Sequence, residues 1–254
     1  MGETFKWEKV SFVNCKGLKL AGLFCPGPDL DTVVVVCHGF TGSKEGGGKA
    51  VAMAEELGRR GYAAFLFDFS GCGESEGDFA DVSLTGHIND IKSSVDYCLG
   101  LDYQRMITMG RSFGGTAVLC HGGSDKRVAG VSAWAAPANP ARLFSGFLDR
   151  AQGITNDLVP LSGDRGSVFI KKSFFADLNK HDVLKYAGLI APRPLLVVHG
   201  SDDAVVPAEN AQAVFNAAGT PKNMRIIPGA DHQFSAYYRE AWAVVFDWLA
   251  EYLD

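Results

Sequence analysis

Apolar and polar positions divide the chain into segments of different period. Lys9 to Val13 and Leu18 to Phe24 alternate, with Asn14-Cys15-Lys16-Gly17 between them, which predicts an antiparallel hairpin. The next runs scarcely alternate: Thr32 to Cys37, Tyr62 to Phe67, Met106 to Met109, Val128 to Trp134 and Pro194 to Val198, with Asn223 to Ile227 weaker. Such runs suit strands covered on both faces of a parallel sheet. Helical spacing fills the intervals. Ala50 to Arg60 sets Val51, Ala54 and Leu57 on one side and meets Gly61 as a stop. Val82 to Leu99 and Ala208 to Ala218 follow suit, and Ala236 to Leu253 aligns Trp242, Val245, Phe246, Leu249 and Leu253. A hairpin followed by repeated strand–helix units predicts an α/β class: a mostly parallel eight-stranded sheet with an N-terminal antiparallel hairpin and helices on both faces.

One interval is too long for a single helix. More than fifty residues separate the strand ending near Ala136 from the strand at Pro194. Within it Leu143 to Leu148 has helical spacing, Val168 to Phe175 reads as extended, and Gly163-Asp164-Arg165-Gly166 is turn-like. We read residues 138–190 as an inserted cap, with 1–137 and 191–254 forming one core. Insertions of this length in a compact domain are usually lids or binding loops.

Chemistry enters at Gly110-Arg111-Ser112-Phe113-Gly114, a Gly-x-Ser-x-Gly run between the strand at Met106 and a helical stretch from Thr116. A serine at such a strand-to-helix turn is forced into a sharp bend, and flanking glycines remove the Cβ atoms that would clash there. The bend presents Ser112 Oγ to a base and the Phe113 amide to a developing oxyanion. A serine hydroxyl is a poor nucleophile until a base takes its proton, and histidine is the usual base. Of six histidines, His87 and His121 lie on predicted helices, His181 in the cap, and His38 and His199 at strand ends before glycine. His232, in Pro228-Gly229-Ala230-Asp231-His232, stands on the loop between the last strand and the last helix and is the predicted base.

The base needs a carboxylate to fix its tautomer. Asp202 and Asp203 compete in His199-Gly200-Ser201-Asp202-Asp203-Ala204-Val205-Val206-Pro207, and the turn pattern favours Asp203. The order Ser112, Asp203, His232 is that of the α/β-hydrolases. A second oxyanion donor is expected from the strand-exit loop His38-Gly39-Phe40-Thr41-Gly42, at the Phe40 amide.

These four motifs, with the loop Asp68-Phe69-Ser70-Gly71-Cys72-Gly73-Glu74-Ser75, resemble the α/β-hydrolase family over almost the whole chain. Within it the chain is most similar to small bacterial esterases of the cinnamoyl and feruloyl type. The resemblance implies an α/β-hydrolase fold with a small cap and hydrolysis of carboxylic esters without cofactor or metal. Thioesterases and peptidases share the machinery, and some relatives are non-catalytic ligand receptors. The glycine-rich loop at Asp68 is expected to serve structure. The expected partner is a small ester with an apolar or aromatic acyl group, held by His38, Trp134, Phe144, Phe147, Phe169 and Phe174.

Composition narrows the class. A net charge of −5 without a basic stripe argues against nucleic acid, and no apolar run reaches membrane-spanning length. Six scattered cysteines, with no Cys-x-x-Cys pair, read as reduced thiols, and the first residues carry no secretory apolar segment. A cytoplasmic protein that does not engage membranes is expected, and a homodimer is compatible with the sequence.

Overall fold

The long apolar runs become strands because each must fill two cores at once. In the computed structural model, which describes residues 6–27, 32–150, 157–163 and 166–253, the strands are β1 (Glu8–Val13), β2 (Lys19–Cys25), β3 (Thr32–Cys37), β4 (Ala63–Phe67), β5 (Arg105–Arg111), β6 (Val128–Trp134), β7 (Leu158–Gly163), β8 (Gly166–Lys171), β9 (Leu195–Gly200) and β10 (Lys222–Ile227). Eight of them form one sheet in the order β1-β2-β4-β3-β5-β6-β9-β10. β1, β2 and β4 pair antiparallel, and every neighbour from β4 to β10 is parallel. The chain has an α/β-hydrolase fold.

Alternation survives inside the continuous runs as a division between cores. On β4, Ala63, Phe65 and Phe67 enter one core while Ala64 and Leu66 enter the other. The helices are α1 (Lys49–Gly58), α2 (Leu84–Leu99), α3 (Phe113–Ser124), α4 (Pro140–Arg150), α5 (Ser173–Leu178), α6 (Val183–Gly188), α7 (Glu209–Ala217) and α8 (Tyr238–Leu253). Leu57 of α1 and Trp242, Val245 and Leu249 of α8 cover one face of the sheet. Ile91 and Val95 of α2, Val118 of α3 and Val214 of α7 cover the other. Each large apolar side chain so enclosed contributes about 1.5–3 kcal/mol of transfer free energy. Among the described residues no helix is long and apolar enough to cross a membrane.

Between β6 and β9 lie α4, the antiparallel pair β7–β8, α5 and α6. The stretch from Val168, expected to run extended to Phe175, leaves the strand at Lys171 and turns helical at Ser173. Burial explains the switch: Phe174, Phe175 and Leu178 are all enclosed, a spacing of one and four residues that fits one face of a helix, whereas strand alternation would turn Phe175 away from the other two. Asp177 of α5 accepts from Thr85 N and Thr85 Oγ1 at 2.9 and 2.7 Å, which fastens this segment to the first turn of α2. The acid there also suits the positive end of the helix dipole.

Candidate active site

Ser112 sits at the joint between β5 and α3 with φ 56° and ψ −125°, a strained conformation for a residue with a side chain. Its N–H donates to Trp134 O at 2.8 Å, which ties the joint to β6. The flanking glycines are required by space. A Cβ on Gly110 would meet the Gly114 carbonyl, and one on Gly114 would meet the His38 carbonyl. The chain before Ser112, the helix after it and the exit of β3 are therefore closer together than any side chain allows. Phe113 opens α3, where the first amides have no intrahelical acceptor. Neither the Phe40 N–H nor the Phe113 N–H has an acceptor among the described residues.

The loop after β10 brings His232 to this joint. Asp231 Oδ1 accepts from the N–H groups of Gln233 and Ser235 at 3.1 and 2.8 Å, and Gly229 takes φ 75°. His232 Nε2 lies 3.0 Å from Ser112 Oγ, and His232 Nδ1 lies 2.7 Å from Asp203 Oδ2. Arg111 Nη1 donates to the His232 carbonyl at 3.3 Å, so the residue before the serine braces the loop of the histidine.

Asp203 is enclosed and fully used. Its Oδ1 accepts from Val205 N and Val206 N at 2.9 and 2.8 Å, while Oδ2 faces both His232 and His199. Burial opposes its charge, but hydrogen bonds from His199, His232 and the Val206 amide outweigh that and hold the carboxyl well below the usual carboxylate range. Asp202 stands outside: it is exposed and its Oδ1 accepts from Ser201 Oγ at 2.7 Å.

The expected substrate-binding residues separate. Phe144 and Phe174 pack on the Phe40 ring at centroid distances of 5.1 and 5.4 Å, and Phe113 joins them at 5.4 Å from Phe40. Phe147 reaches this group through Phe144. Phe169 is 52% exposed on β8 and outside the cluster. Trp134 lies on the opposite face of the sheet, against Phe234, with Nε1 donating to Ser132 Oγ. Its position follows from strand parity, since Ala133 beside it already faces the Phe113 side. His38 has both ring nitrogens engaged, Nδ1 with Gly39 O at 2.8 Å and Nε2 with Phe69 N at 3.2 Å. Burial is the main effect on it and lowers its pKa, so a neutral ring shapes the loop rather than meeting substrate.

The glycine-rich loop is anchored by Asp68. Its carboxylate accepts from Lys44 N, Lys44 Nζ and Glu74 N at 2.7, 2.7 and 2.9 Å. Burial disfavours the charge on Lys44, but hydrogen bonds to Asp68, Glu74 and Glu45 outweigh it and raise the pKa. The loop thus holds the exit of β3, which carries Phe40. Sequence reasoning gave His199 only a turn-shaping role. Its Nε2 lies 2.8 Å from Val206 O and 3.3 Å from Asp203 Oδ2. The four-residue spacing from Asp203 across a turn was the available signal. Among the described residues no group of three His, Cys, Asp or Glu side chains could hold a metal ion.

Comparison with known proteins gives the family. Residues 28–171 match the family described as serine aminopeptidase, S33. The uncharacterized protein YfhR of Salmonella typhi is 29% identical over 253 residues, covering 92% of this chain and 79% of the relative. The quorum-quenching protein AidA of Acinetobacter baumannii is 32% identical over 116 residues, covering 44% of this chain and 38% of the relative. Among solved structures, Est1E of Butyrivibrio proteoclasticus with ferulic acid bound superposes with TM-score 0.84 at 24% identity, over 95% of this chain and 98% of that one. The esterase domain of a Rhodothermus marinus protein superposes with TM-score 0.74 at 27% identity, over 98% of this chain and 100% of that one. With the fold, the strained Ser112 joint and a family match over more than half its length, the chain belongs to the serine aminopeptidase S33 family of α/β-hydrolases.

Proposed function

We propose that the protein is a serine hydrolase of carboxylic esters that works through an acyl-enzyme on Ser112. The observation that carries this reading is the continuous line Ser112 Oγ–His232 Nε2 at 3.0 Å and His232 Nδ1–Asp203 Oδ2 at 2.7 Å. Ser112 Oγ attacks the ester carbonyl as His232 Nε2 takes its proton. Asp203 holds the Nδ1 proton and stabilises the imidazolium. The N–H groups of Phe40 and Phe113 receive the oxyanion, each such donor supplying about 3–4 kcal/mol of transition-state stabilisation. His232 then protonates the leaving alcohol, and water repeats the sequence to free the acid. These steps need no cofactor.

The rings of Phe40, Phe113, Phe144 and Phe174 stand beside the oxyanion donors. They favour an aromatic or medium-length acyl group over acetyl, as in cinnamoyl and feruloyl esterases, and α4 and α5 supply the cap side of that pocket. The likeness to Est1E with its bound ferulic acid and to the Rhodothermus esterase domain supports ester hydrolysis. The test combines a fluorophosphonate probe with a panel of p-nitrophenyl esters, an aryl thioester and an amino-acid anilide. We expect labelling that Ser112→Ala abolishes, and fastest turnover on aromatic or medium-chain esters. Acetyl esters ranking first overturn the pocket assignment, anilide or thioester ranking first overturns ester specificity, and labelling retained in Ser112→Ala overturns the nucleophile.

A further inference from the structure

The carbonyl of Gly39 and the N–H of Phe40 belong to one peptide unit. That unit is planar and trans, so the two groups point in opposite directions. A partner that grips the carbonyl therefore aims the N–H. Two donors grip it. Gly42 N–H reaches Gly39 O at 3.0 Å and closes a turn, and His38 Nδ1 lies 2.8 Å from the same oxygen. The two lone pairs of a carbonyl oxygen can take both bonds. A grip is needed because Gly39 has no Cβ to resist a flip of this peptide.

The partners of His38 also fix the state of its ring. A carbonyl only accepts, so Nδ1 carries the proton. Nε2 lies 3.2 Å from Phe69 N, and an amide only donates, so Nε2 is bare. The ring is neutral in a single tautomer, with its side chain 6% exposed. Asp68 Oδ1, at 4.0 Å from Nε2, is too far for a bond and takes Lys44 N at 2.7 Å instead. The Phe69 ring meets the imidazole edge-on, with centroids 4.9 Å apart. Gly42 leaves room for this arrangement: a Cβ there would stand 3.1 Å from Gly39 O and 3.2 Å from His38 Nδ1.

We propose that His38 is a positioning residue for the oxyanion: its Nδ1–H pins the Gly39 carbonyl and so turns the Phe40 N–H toward the carbonyl oxygen of the ester that Ser112 attacks. The proposal rests on the acyl-enzyme reading. A neutral ester carbonyl gains little from that donor and an oxyanion gains much, so loss of the pin slows the chemical step without weakening substrate binding. The glycine-rich loop thereby acquires a part in the reaction. Asp68 holds the loop, Phe69 N–H sets the tautomer of His38, and His38 aims Phe40.

His38→Leu removes the pin, and His38→Asn keeps an N–H in the place of Nδ1. We expect His38→Leu to lower kcat about ten- to a hundredfold with KM within about threefold, less than the loss of a whole oxyanion donor. His38→Asn should return kcat to within about fivefold of the parent. An aryl trifluoromethyl ketone reads the oxyanion directly: Ser112 Oγ adds to its carbonyl carbon, the hydroxyl proton passes to His232, and the carbonyl oxygen takes the negative charge. Its Ki is expected to rise in His38→Leu by the factor by which kcat/KM falls, and to recover in His38→Asn. The imidazole 15N–1H spectrum of the parent should place the His38 proton on Nδ1. If His38→Leu does not fold, Gly42→Ala, which crowds the ring off the carbonyl, is expected to show the same split between kcat and KM. An unaltered kcat in a folded variant, equal impairment of His38→Leu and His38→Asn at normal Tm, or a proton on Nε2 would each overturn the proposal. A parent that forms no ketone adduct overturns the acyl-enzyme reading and this proposal with it, whereas a parent adduct with Ki unmoved in the variants overturns the role of His38 alone.

Discussion

His199 Nε2 lies 3.3 Å from Asp203 Oδ2, with both side chains sealed from solvent. The oxygen it approaches is the one that holds His232 Nδ1. On the proposed mechanism His199 acts as a positioning residue, one step removed from the imidazole that meets Ser112. Removing its N–H in His199→Phe takes away the bond to Val206 O and the approach to Asp203 Oδ2, and is expected to lower kcat about ten- to a hundredfold. His199→Gln, which restores an N–H donor, should recover most of it with KM unchanged. Equal impairment in both variants, with normal Tm, would assign His199 to the turn alone.

Ser112→Gly separates strain from chemistry. Positive φ at Ser112 is destabilising for a residue with a Cβ, by roughly 1–3 kcal/mol, and glycine relieves it. The variant is expected to lose nearly all ester turnover while its denaturation midpoint rises. A midpoint at or below that of the parent would show that the joint stores no strain.

Asp203 sets a pH dependence whose sign can be worked out. Its folded pKa is depressed, so its contribution to stability is complete above the unfolded value of about 3.9 and is lost as pH falls through the folded one. Acid titration of the folded protein should therefore leave the Asp203–His232 bond intact to below about pH 4. Asp203→Asn is expected to cut kcat about 10⁴-fold by stabilising the wrong imidazole tautomer. It should also flatten the loss of stability below pH 4, which urea melts at stepped pH would read.

Lys44 and Asp68 form a buried pair, with side-chain exposures of 2% and 0%. Breaking such a pair from one side leaves a buried charge and costs about 3–5 kcal/mol. Asp68→Ala is expected to lose stability in that range and to release the loop that carries Phe40, lowering kcat as well. Denaturant unfolding with a change under about 1 kcal/mol would mean that Glu74 and Glu45 suffice to hold Lys44.

The sequence exposed the parts of the fold where one residue type has one use. β3 and β4 were visible because a strand filling two cores admits little but apolar residues, and the Ser112 joint because only glycine fits at Gly110 and Gly114. Where apolar residues have two uses, letters did not decide. Trp134 and Phe144 read alike, yet a one-residue parity on β6 sends Trp134 to the far side of the sheet. Val168 to Phe175 reads as extended, and only the joint burial of Phe174, Phe175 and Leu178 turns its end into a helix. The tie between His199 and Asp203 was hidden because it depends on how the turn after β9 folds back.

β6 and β9 are neighbours, joined in register from Val131–Leu195 to Trp134–Val198. The polypeptide leaves the sheet at one strand and returns at its neighbour, so the length of the excursion between them does not set the distance between Ser112 and His232. Its length and contents can change over evolutionary time while the chemistry beneath stays aligned. On the proposed reading, Phe144 and Phe174 ride on this excursion while Phe40 and Phe113 stay with the sheet, so exchanging the excursion would retune one wall of the acyl site and leave the other in place.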